Sequence, residues 1–177
     1  MAHIYNQSIS DYLNQIGKFL SERLDLGRDD ITSVVKFKYV ETNAKEIDSV
    51  LIKIEDKKFI SCDYIEYTVK INEILFPIED TDCKSFKFSY ELRGIPNEED
   101  LIRFDFNDNY TKYPKYHINA NEKTWGKYHL VFPEDTNIDL KKMNAVIALN
   151  MFQKHVCHPD NHILDKENNN DYLAMLI

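Results

Sequence analysis

Alternation of apolar and polar residues through the middle of the chain is the feature that most restricts its fold. Successive side chains of a β-strand point to opposite faces, so a period of two predicts half-buried strands. The clearest case is "SFKFSYELRG", whose large apolar residues should share one face: Phe86, Phe88, Tyr90 and Leu92. Other alternating segments are "SVVKFKYV", "SVLIKIE", "FISCDYIEYTVKINEILF", "DLIRFDF", "KYHINA" and "KYHLVF". We expect turns at "DKK" and around Gly94, Pro96 and Asn97.

Two helical patterns flank these segments. In "SISDYLNQIGKFLSERLDLG" apolar residues recur at helical spacing, Ser8 and Asp11 form a capping box, and Gly27 can end the helix. After Pro133, "DTNIDLKKMNAVIALNMFQKH" carries a second apolar stripe, formed by Leu140, Met143, Val146, Ile147 and Met151. We therefore predict an α+β fold, an antiparallel β-sheet packed against an N-terminal helix and a C-terminal helix. Its length suits a single domain over residues 1–177.

Charge and apolar content exclude several classes of protein. With 22 Lys and Arg against 30 Asp and Glu, the formal charge is -8, which argues against nonspecific nucleic-acid binding through a broad basic surface. A local basic cleft is still compatible with this balance, and the excess acid suits a basic partner such as a neutralising protein. No stretch approaches the about 20 apolar residues of a membrane span, and the N-terminus shows no secretion pattern. We expect a cytoplasmic protein with no membrane association.

The cysteines predict reduced thiols. Cys62, Cys83 and Cys157 are odd in number and show no Cys-x-x-Cys spacing. This pattern argues against a disulfide framework and against a zinc ribbon.

Five polar residues on the predicted strands could form a catalytic site. Arg93, Arg103, Asp105, His117 and His129 would share one face of the sheet if their strands are neighbours. In metal-free RNA cleavage one group accepts the 2′-hydroxyl proton, a second protonates the leaving oxygen, and a cation stabilises charge on the phosphate. We predict His117 and His129 as the general acid and base, because imidazole titrates near neutral pH. Arg103 would orient the phosphate, and Asp105 would hold a histidine or arginine in place.

Two other interpretations of these residues stay open. Half of an antiparallel sheet is often wet, so Arg103 and Asp105 can simply form cross-strand pairs. Asp105, His117 and His129 also have the chemistry of metal ligands, although their spacing matches no compact ligand signature. The sequence favours no metal and no cofactor at this site.

The segment around "NYTKYPKYH" supplies candidates for substrate binding. Lys115, Trp125 and Lys127 lie in the locally basic, aromatic part of an acidic chain. Aromatic rings stack on bases and lysines attract phosphate, so these residues, with Arg93, fit an RNA substrate.

A second cluster, "HVCHPDNH", gathers potential ligands for a transition metal: His155, Cys157, His158, Asp160 and His162. Pro159 breaks any helix there, and histidines suit the negative end of a helix dipole. The pattern therefore favours a helix C-terminus followed by an exposed loop, with a metal site as the alternative.

The order of "FSYELRG", "LIRFDF", "YHINA", "YHLVF" and "IDLKKMNAVIAL", over about residues 86–150, resembles small bacterial toxins of the TumE type, which belong to toxin–antitoxin pairs. Their pattern is an Arg-x-Asp strand, a His-rich stretch and a closing helix. By this resemblance Arg103 and Asp105 match the Arg-x-Asp strand, while His117 and His129 are the counterparts of the histidine pair. The sequence departs from the pattern, because an insertion separates the two histidines and the long N-terminal helix is extra.

The leading hypothesis is a toxin-like or defence-related hydrolase that acts on RNA as a metal-independent endoribonuclease. The alternative is a non-enzymatic interaction module that binds a partner or forms a homodimer. Its motivation is the amphipathic stripe from Ile9 to Leu24, together with the acidic surface.

Overall fold

The computed structural model describes residues 1–24, 28–60, 65–79, 81–95 and 100–177. Within these ranges the strands are β1 (His3–Tyr5), β2 (Val35–Val40), β3 (Asn43–Ile60), β4 (Glu66–Ile78), β5 (Asp82–Gly94), β6 (Leu101–Asn107), β7 (Tyr116–Ala120) and β8 (His129–Leu130). The α-helices are α1 (Ile9–Leu24), α2 (Arg28–Val34), α3 (Glu122–Trp125), α4 (Ala145–Cys157) and α5 (Asn170–Leu173). Short 3-10 helices occupy Leu140–Lys142 and Ala174–Leu176. The predicted α+β class is confirmed.

All the described strands belong to one antiparallel sheet. Its order is β2-β3-β4-β5-β6-β7-β8, so neighbours in the chain are neighbours in the sheet. β1 pairs with the first part of β5, through His3 and Ser85, while β6 pairs with the second part. The meander explains why alternation was clear in β4 to β7, because each of these strands has one face on the core, whereas β2 at the edge of the sheet is mostly exposed.

One face of the sheet carries the main apolar core. Phe104 and Ile118 pair across β6 and β7 and are fully buried, as is Phe88 on β5. The buried side chains of α1 and α4 belong to the same cluster: Tyr12, Ile16, Leu20, Ala148, Leu149 and Phe152.

The N-terminus of α1 has the predicted cap. Ser8 Oγ accepts a hydrogen bond from Asp11 N at 3.1 Å and donates one to Asp11 Oδ2 at 2.8 Å. The predicted stop at Gly27 lies outside the described residues. None of the helices in the described part of the chain is long and apolar enough to span a membrane.

The prediction of a turn at "DKK" is wrong. "DKK" is not a turn, because Lys57 and Lys58 continue β3 and pair with Val69 and Thr68 of β4. A register shift after Ile54 absorbs the irregularity as a bulge, which lets exposed lysines stay in a strand. The turn predicted at residues 94–97 falls mostly outside the described residues.

Phe86 does not face the core with Phe88. Ser85 Oγ accepts from Lys87 N at 3.2 Å and donates to Lys87 O at 2.8 Å, and β5 holds one extra residue opposite β4 here. This bulge reverses the phase of the alternation, so Ser85 is buried and Phe86 is exposed.

The C-terminal helix begins later than predicted. Residues 140–142 form a 3-10 helix, and α4 starts only at Ala145, where Asn144 Oδ1 accepts a hydrogen bond from Ile147 N. The asparagine side chain is a strong helix cap, which stops the α-helix from extending toward Pro133.

The described cysteines, Cys83 and Cys157, are free thiols, as predicted, and Cys62 lies outside the described residues.

Candidate active site

The register of the sheet brings the predicted catalytic residues together on the face opposite the main core. Arg103 pairs with Asn119, which pairs with His129, across β6, β7 and β8. Asp105 pairs with His117 in the neighbouring row. The four predicted catalytic residues therefore share one surface, because consecutive strands of the meander are neighbours in the sheet. These residues are Arg103, Asp105, His117 and His129.

Asp105 is the centre of this group. Its Oδ2 accepts hydrogen bonds from Arg103 Nε at 2.9 Å and from Asn119 Nδ2 at 2.6 Å. His117 Nε2 lies 3.7 Å from the same oxygen. Asp105 Oδ1 and Asn119 Oδ1 are buried and have no hydrogen-bond partner among the described residues. Asp105 Oδ2 is thus occupied by hydrogen-bond donors, which does not suit a metal ion. Asp105 Oδ1 is an acceptor without a donor among the described residues.

His117 has the properties of a base. The carbonyl of Pro114 can only accept a hydrogen bond, so its 2.9 Å contact places the proton of the ring on Nδ1. Burial lowers the pKa of His117 below its ordinary value, which leaves Nε2 unprotonated at neutral pH. The lone pair of Nε2 then points toward the polar face of the sheet.

His129 is in ring contact with His117. The two ring centroids lie 4.8 Å apart in an edge-to-face arrangement, and the rings of Tyr113 and Tyr128 each lie 4.9 Å from His129. Tyr110 contacts the other histidine, with ring centroids 5.7 Å apart. His129 is only partly buried, so it is the more accessible of the two imidazoles.

The arginines are joined through Glu91. Arg103 Nη1 lies 3.7 Å from Glu91 Oε2, and Arg93 Nε lies 3.4 Å from Glu91 Oε1. Burial alone would lower the pKa of Arg103, but the ion pair with Asp105 outweighs it and raises that pKa. Arg103 keeps 31% of its side chain exposed, so part of its guanidinium is available to an anion.

The face of the sheet that carries Asp105 and His117 is less exposed to solvent than the alternation of polar and apolar residues predicts. Asp105, His117 and Asn119 are buried rather than solvent-facing, and the ring of Tyr110 from the 108–115 loop lies against His117. A cavity of about 70 Å³ borders His117. Its lining includes core residues such as Ile118, Leu130 and Leu140, and it does not include Arg103 or His129.

The predicted substrate-binding residues are dispersed. Lys115 pairs with Asp108, and Lys127 pairs with Asp135 at 2.6 Å. Trp125 packs on His162, with ring centroids 4.6 Å apart, and so belongs to the "HVCHPDNH" cluster. Arg93 lies on β5, two strands away from His117 on β7, and it contacts Glu91.

Sequence reasoning missed two groups at this site. Asn119 was visible as a polar position of "KYHINA", yet its amide binds Asp105 as directly as Arg103 does. Glu91 was visible as a polar position of β5, and it links the two arginines. Asn119 lies one strand away from Asp105, and Glu91 lies one strand away from Arg103, so only the register reveals these two contacts.

The fold and this group of side chains define an α+β protein with a buried Arg–Asp–His cluster on one face of a meander sheet. Comparisons with protein-family models, curated proteins and solved structures found no match to this chain. The likeness to TumE-type toxins therefore stays a prediction.

Proposed function

We propose that this chain is a toxin-like or defence-related endoribonuclease that works without a metal ion. The observation that carries the proposal is the ring contact between His117 and His129 beside the Arg103–Asp105 pair. Two imidazoles, a guanidinium and a carboxylate on one surface are the groups that acid–base cleavage of RNA requires.

Each residue has a distinct role in this proposal. His117, neutral at physiological pH, accepts the proton of the 2′-hydroxyl, whose oxygen then attacks the adjacent phosphorus. His129, the more accessible ring, donates a proton to the 5′-oxygen as the phosphorus–oxygen bond breaks. The exposed part of Arg103 binds the phosphate, and Asp105 positions both Arg103 and the imidazolium that forms on His117.

The remaining structure supports the site in two ways. Asn119 holds the Asp105 carboxylate from the neighbouring strand, and that carboxylate in turn holds Arg103 beside the histidines. We further propose that the N-terminal and C-terminal helices, packed on the opposite face, hold the sheet rigid and so fix the distance between His117 and His129.

The test is cleavage of a labelled RNA of mixed sequence by the purified chain in EDTA. We expect His117→Gln and His129→Gln each to lower the rate by about 100-fold or more, since general acid–base groups contribute roughly 10² to 10⁴. His158→Gln is the matched control, because this exposed histidine lies outside the site. Circular dichroism and thermal melting would establish that each variant is folded.

Unchanged cleavage in a folded His117→Gln/His129→Gln variant would sink the proposal. Cleavage by the wild type that disappears in EDTA would point to a metal-dependent reaction instead.

The second candidate function is that of a protein-interaction module, and the surface that supports it is the edge strand β2 rather than α1. The stripe of α1 is buried within the chain, with Tyr12, Ile16 and Leu20 fully buried, so it is not displayed to a partner. β2 is an edge strand of the sheet, and its Phe37 and Tyr39 are 45% and 48% exposed. Exposed edge strands pair with other chains. Light scattering of the wild type and of Phe37→Lys would show whether this edge forms a homodimer.

A further inference from the structure

A second polar cluster lies at the C-terminal end of α4. Its members are Asp100, directly before β6, His155 in the last turn of α4, and His162 in the following loop. Asp100 Oδ1 lies 3.7 Å from His155 Nε2 and 3.8 Å from His162 Nε2. One donor atom from each of the three residues lies within 4.8 Å of the others.

His155 is the unusual member. It is 1% exposed, and neither of its ring nitrogens has a hydrogen-bond partner among the described residues. A buried polar atom without a partner is costly, and such atoms are rare in folded proteins. One of the two nitrogens, Nε2, is directed at Asp100 and His162, so a group bound between the three residues would supply the missing contact.

We propose that Asp100, His155 and His162 form a binding site for a divalent transition-metal ion of the zinc type. Around a tetrahedral ion with ligand distances of about 2.0 to 2.2 Å, ligand atoms lie roughly 3.3 to 3.6 Å apart. The observed 3.7 and 3.8 Å separations lie close to that geometry. The three donor atoms, which lie within 4.8 Å of one another, would close on an ion by side-chain movements of about 1 Å. Two imidazoles and one carboxylate favour zinc and its neighbours over magnesium or calcium, which prefer oxygen ligands.

The charge state of the cluster agrees with this assignment. Burial alone would raise the pKa of Asp100, but its interactions with His155 and His162 lower it well below the usual range. Burial also lowers the pKa of His162. An ionised carboxylate and a neutral imidazole are the forms that bind a metal at neutral pH.

Solvent access leaves a further coordination position. Asp100 and His162 each keep 23% of their side chains exposed, whereas His155 closes the buried side. An ion held by three protein ligands at this place would therefore complete its shell with water. The bound ion would fasten the end of α4 to the start of β6.

Binding requires one local change in His162. Leu164 N donates a hydrogen bond to His162 Nδ1 at 3.1 Å, which places the proton of the neutral ring on Nε2. Coordination through Nε2 moves that proton to Nδ1, and the bond from Leu164 N is lost. The amide resonance of Leu164 is consequently a specific reporter of metal binding.

The other potential ligands of "HVCHPDNH" turn elsewhere. Cys157 and His158 line a separate surface groove with Lys154 and Asp171. The proposed metal site shares no residue with the Arg103, Asp105, His117 and His129 cluster. Its existence is thus independent of RNA cleavage.

Calorimetric titration of the EDTA-treated and desalted chain with Zn²⁺ tests the site. We expect one ion per chain, with affinity weakened at least about 100-fold in Asp100→Asn and in His162→Ala, a loss at or above the upper end for outer-shell partners. His158→Ala is the matched control, because this exposed histidine lies in the same segment and should bind zinc as the wild type does. The partly exposed positions are chosen because replacing buried His155 could prevent folding.

Two further readouts accompany the titration. At zinc concentrations about 100 times the dissociation constant, the melting temperature should rise by roughly 5 to 10 °C. The Leu164 amide should shift in the nitrogen–proton NMR spectrum of the wild type and not of His162→Ala.

Several results would overturn the proposal. The first is the absence of stoichiometric zinc binding by the wild type. The second is zinc affinity in Asp100→Asn and His162→Ala equal to that of the wild type. The third is loss of zinc binding in His158→Ala alone.

Discussion

Two buried carboxylates on opposite faces of the same sheet have different partners. Glu73, on the face of the main core, receives hydrogen bonds from the hydroxyls of Tyr5 and Tyr12. Asp105, on the other face, receives them from Arg103 and Asn119. Both carboxylates are at least 95% buried, but among the described residues only Asp105 has a cation beside it, Arg103.

The difference separates a carboxylate that links elements of the core from one that holds charged and polar groups of the candidate site. Burial raises the pKa of Glu73 to about 7, and the two tyrosine hydrogen bonds only partly oppose it. Tyr12 also accepts a hydrogen bond from Ala145 N at 2.6 Å, so the network joins β1, α1, β4 and the start of α4. Glu73 connects the elements of the core, whereas Asp105 orients groups that remain partly accessible.

Removing the core carboxylate should have the largest effect. Glu73→Ala leaves the hydroxyls of Tyr5 and Tyr12 without their acceptor and opens a cavity between α1 and the sheet. We expect the free energy of unfolding to fall by about 3 to 5 kcal/mol. Urea denaturation followed by circular dichroism measures this change, and a loss below about 1 kcal/mol would contradict the central role of Glu73.

The pH dependence of stability should distinguish the two carboxylates next. Because the pKa of Glu73 is about 7 in the folded chain against an ordinary 4.5, the folded state binds more protons than the unfolded state between these values. Its contribution is therefore fully present below about pH 4.5 and is lost as pH rises through 7, on the order of 3 kcal/mol in total.

Glu73→Gln should flatten that dependence, because the amide does not titrate. Denaturation series from pH 5 to 8 on both proteins give the comparison. Parallel pH profiles in wild type and variant would show that Glu73 does not titrate in this range.

Neutralising Asp105 should lower the free energy of unfolding by less than removing Glu73 does. In Asp105→Asn the guanidinium of Arg103 loses its nearest anion, although Glu91 remains 3.7 Å away. We expect a loss of about 2 to 3 kcal/mol in unfolding free energy, because Arg103 is partly exposed and a fully buried pair would cost roughly 3 to 5. Asp108→Asn, which removes the partly exposed partner of Lys115 and of the N-terminal amine, is the control and should change stability less. Equal effects of the two substitutions would contradict the special position of Asp105.

The smallest effect should come from a single hydroxyl. Tyr12→Phe removes the bond to Glu73 Oε2 at 2.8 Å and leaves Ala145 N without that acceptor. We expect a loss of about 1 to 2 kcal/mol, with Phe filling the same space. Thermal melts of Tyr12→Phe and of Tyr113→Phe, whose ring is exposed, give the comparison.

Much of the fold could be predicted because its elements are local. The Ser8–Asp11 cap and the stripe of α1 are readable from spacing alone, and so are β2 and β4 to β7. The errors arose where one residue changes the phase of a strand. At Ser85 a bulge reverses the alternation, and at "DKK" a bulge holds the chain in a strand that its composition does not favour.

The candidate sites could be predicted only in part. Arg103, Asp105, His117 and His129 were chosen because they occupy polar positions of strands, and the meander places them together. The burial of Asp105 and His117 was not foreseen, since strand alternation places both residues on the polar face of the sheet. Asp100 was not considered as a ligand, because it lies 55 positions before His155 in the chain.

The sequence by itself determined the α+β class, the order of the main strands and helices, and the chemical groups available to the protein. Spacing encodes these features because strand and helix periods depend on neighbours along the chain. Tertiary structure decided which groups meet: Glu73 with the tyrosines of β1 and α1, Asp105 with Asn119, and Asp100 with one histidine in the last turn of α4 and one in the loop after it. These contacts depend on strand register and on the packing of distant segments, which short-range periodicity does not specify.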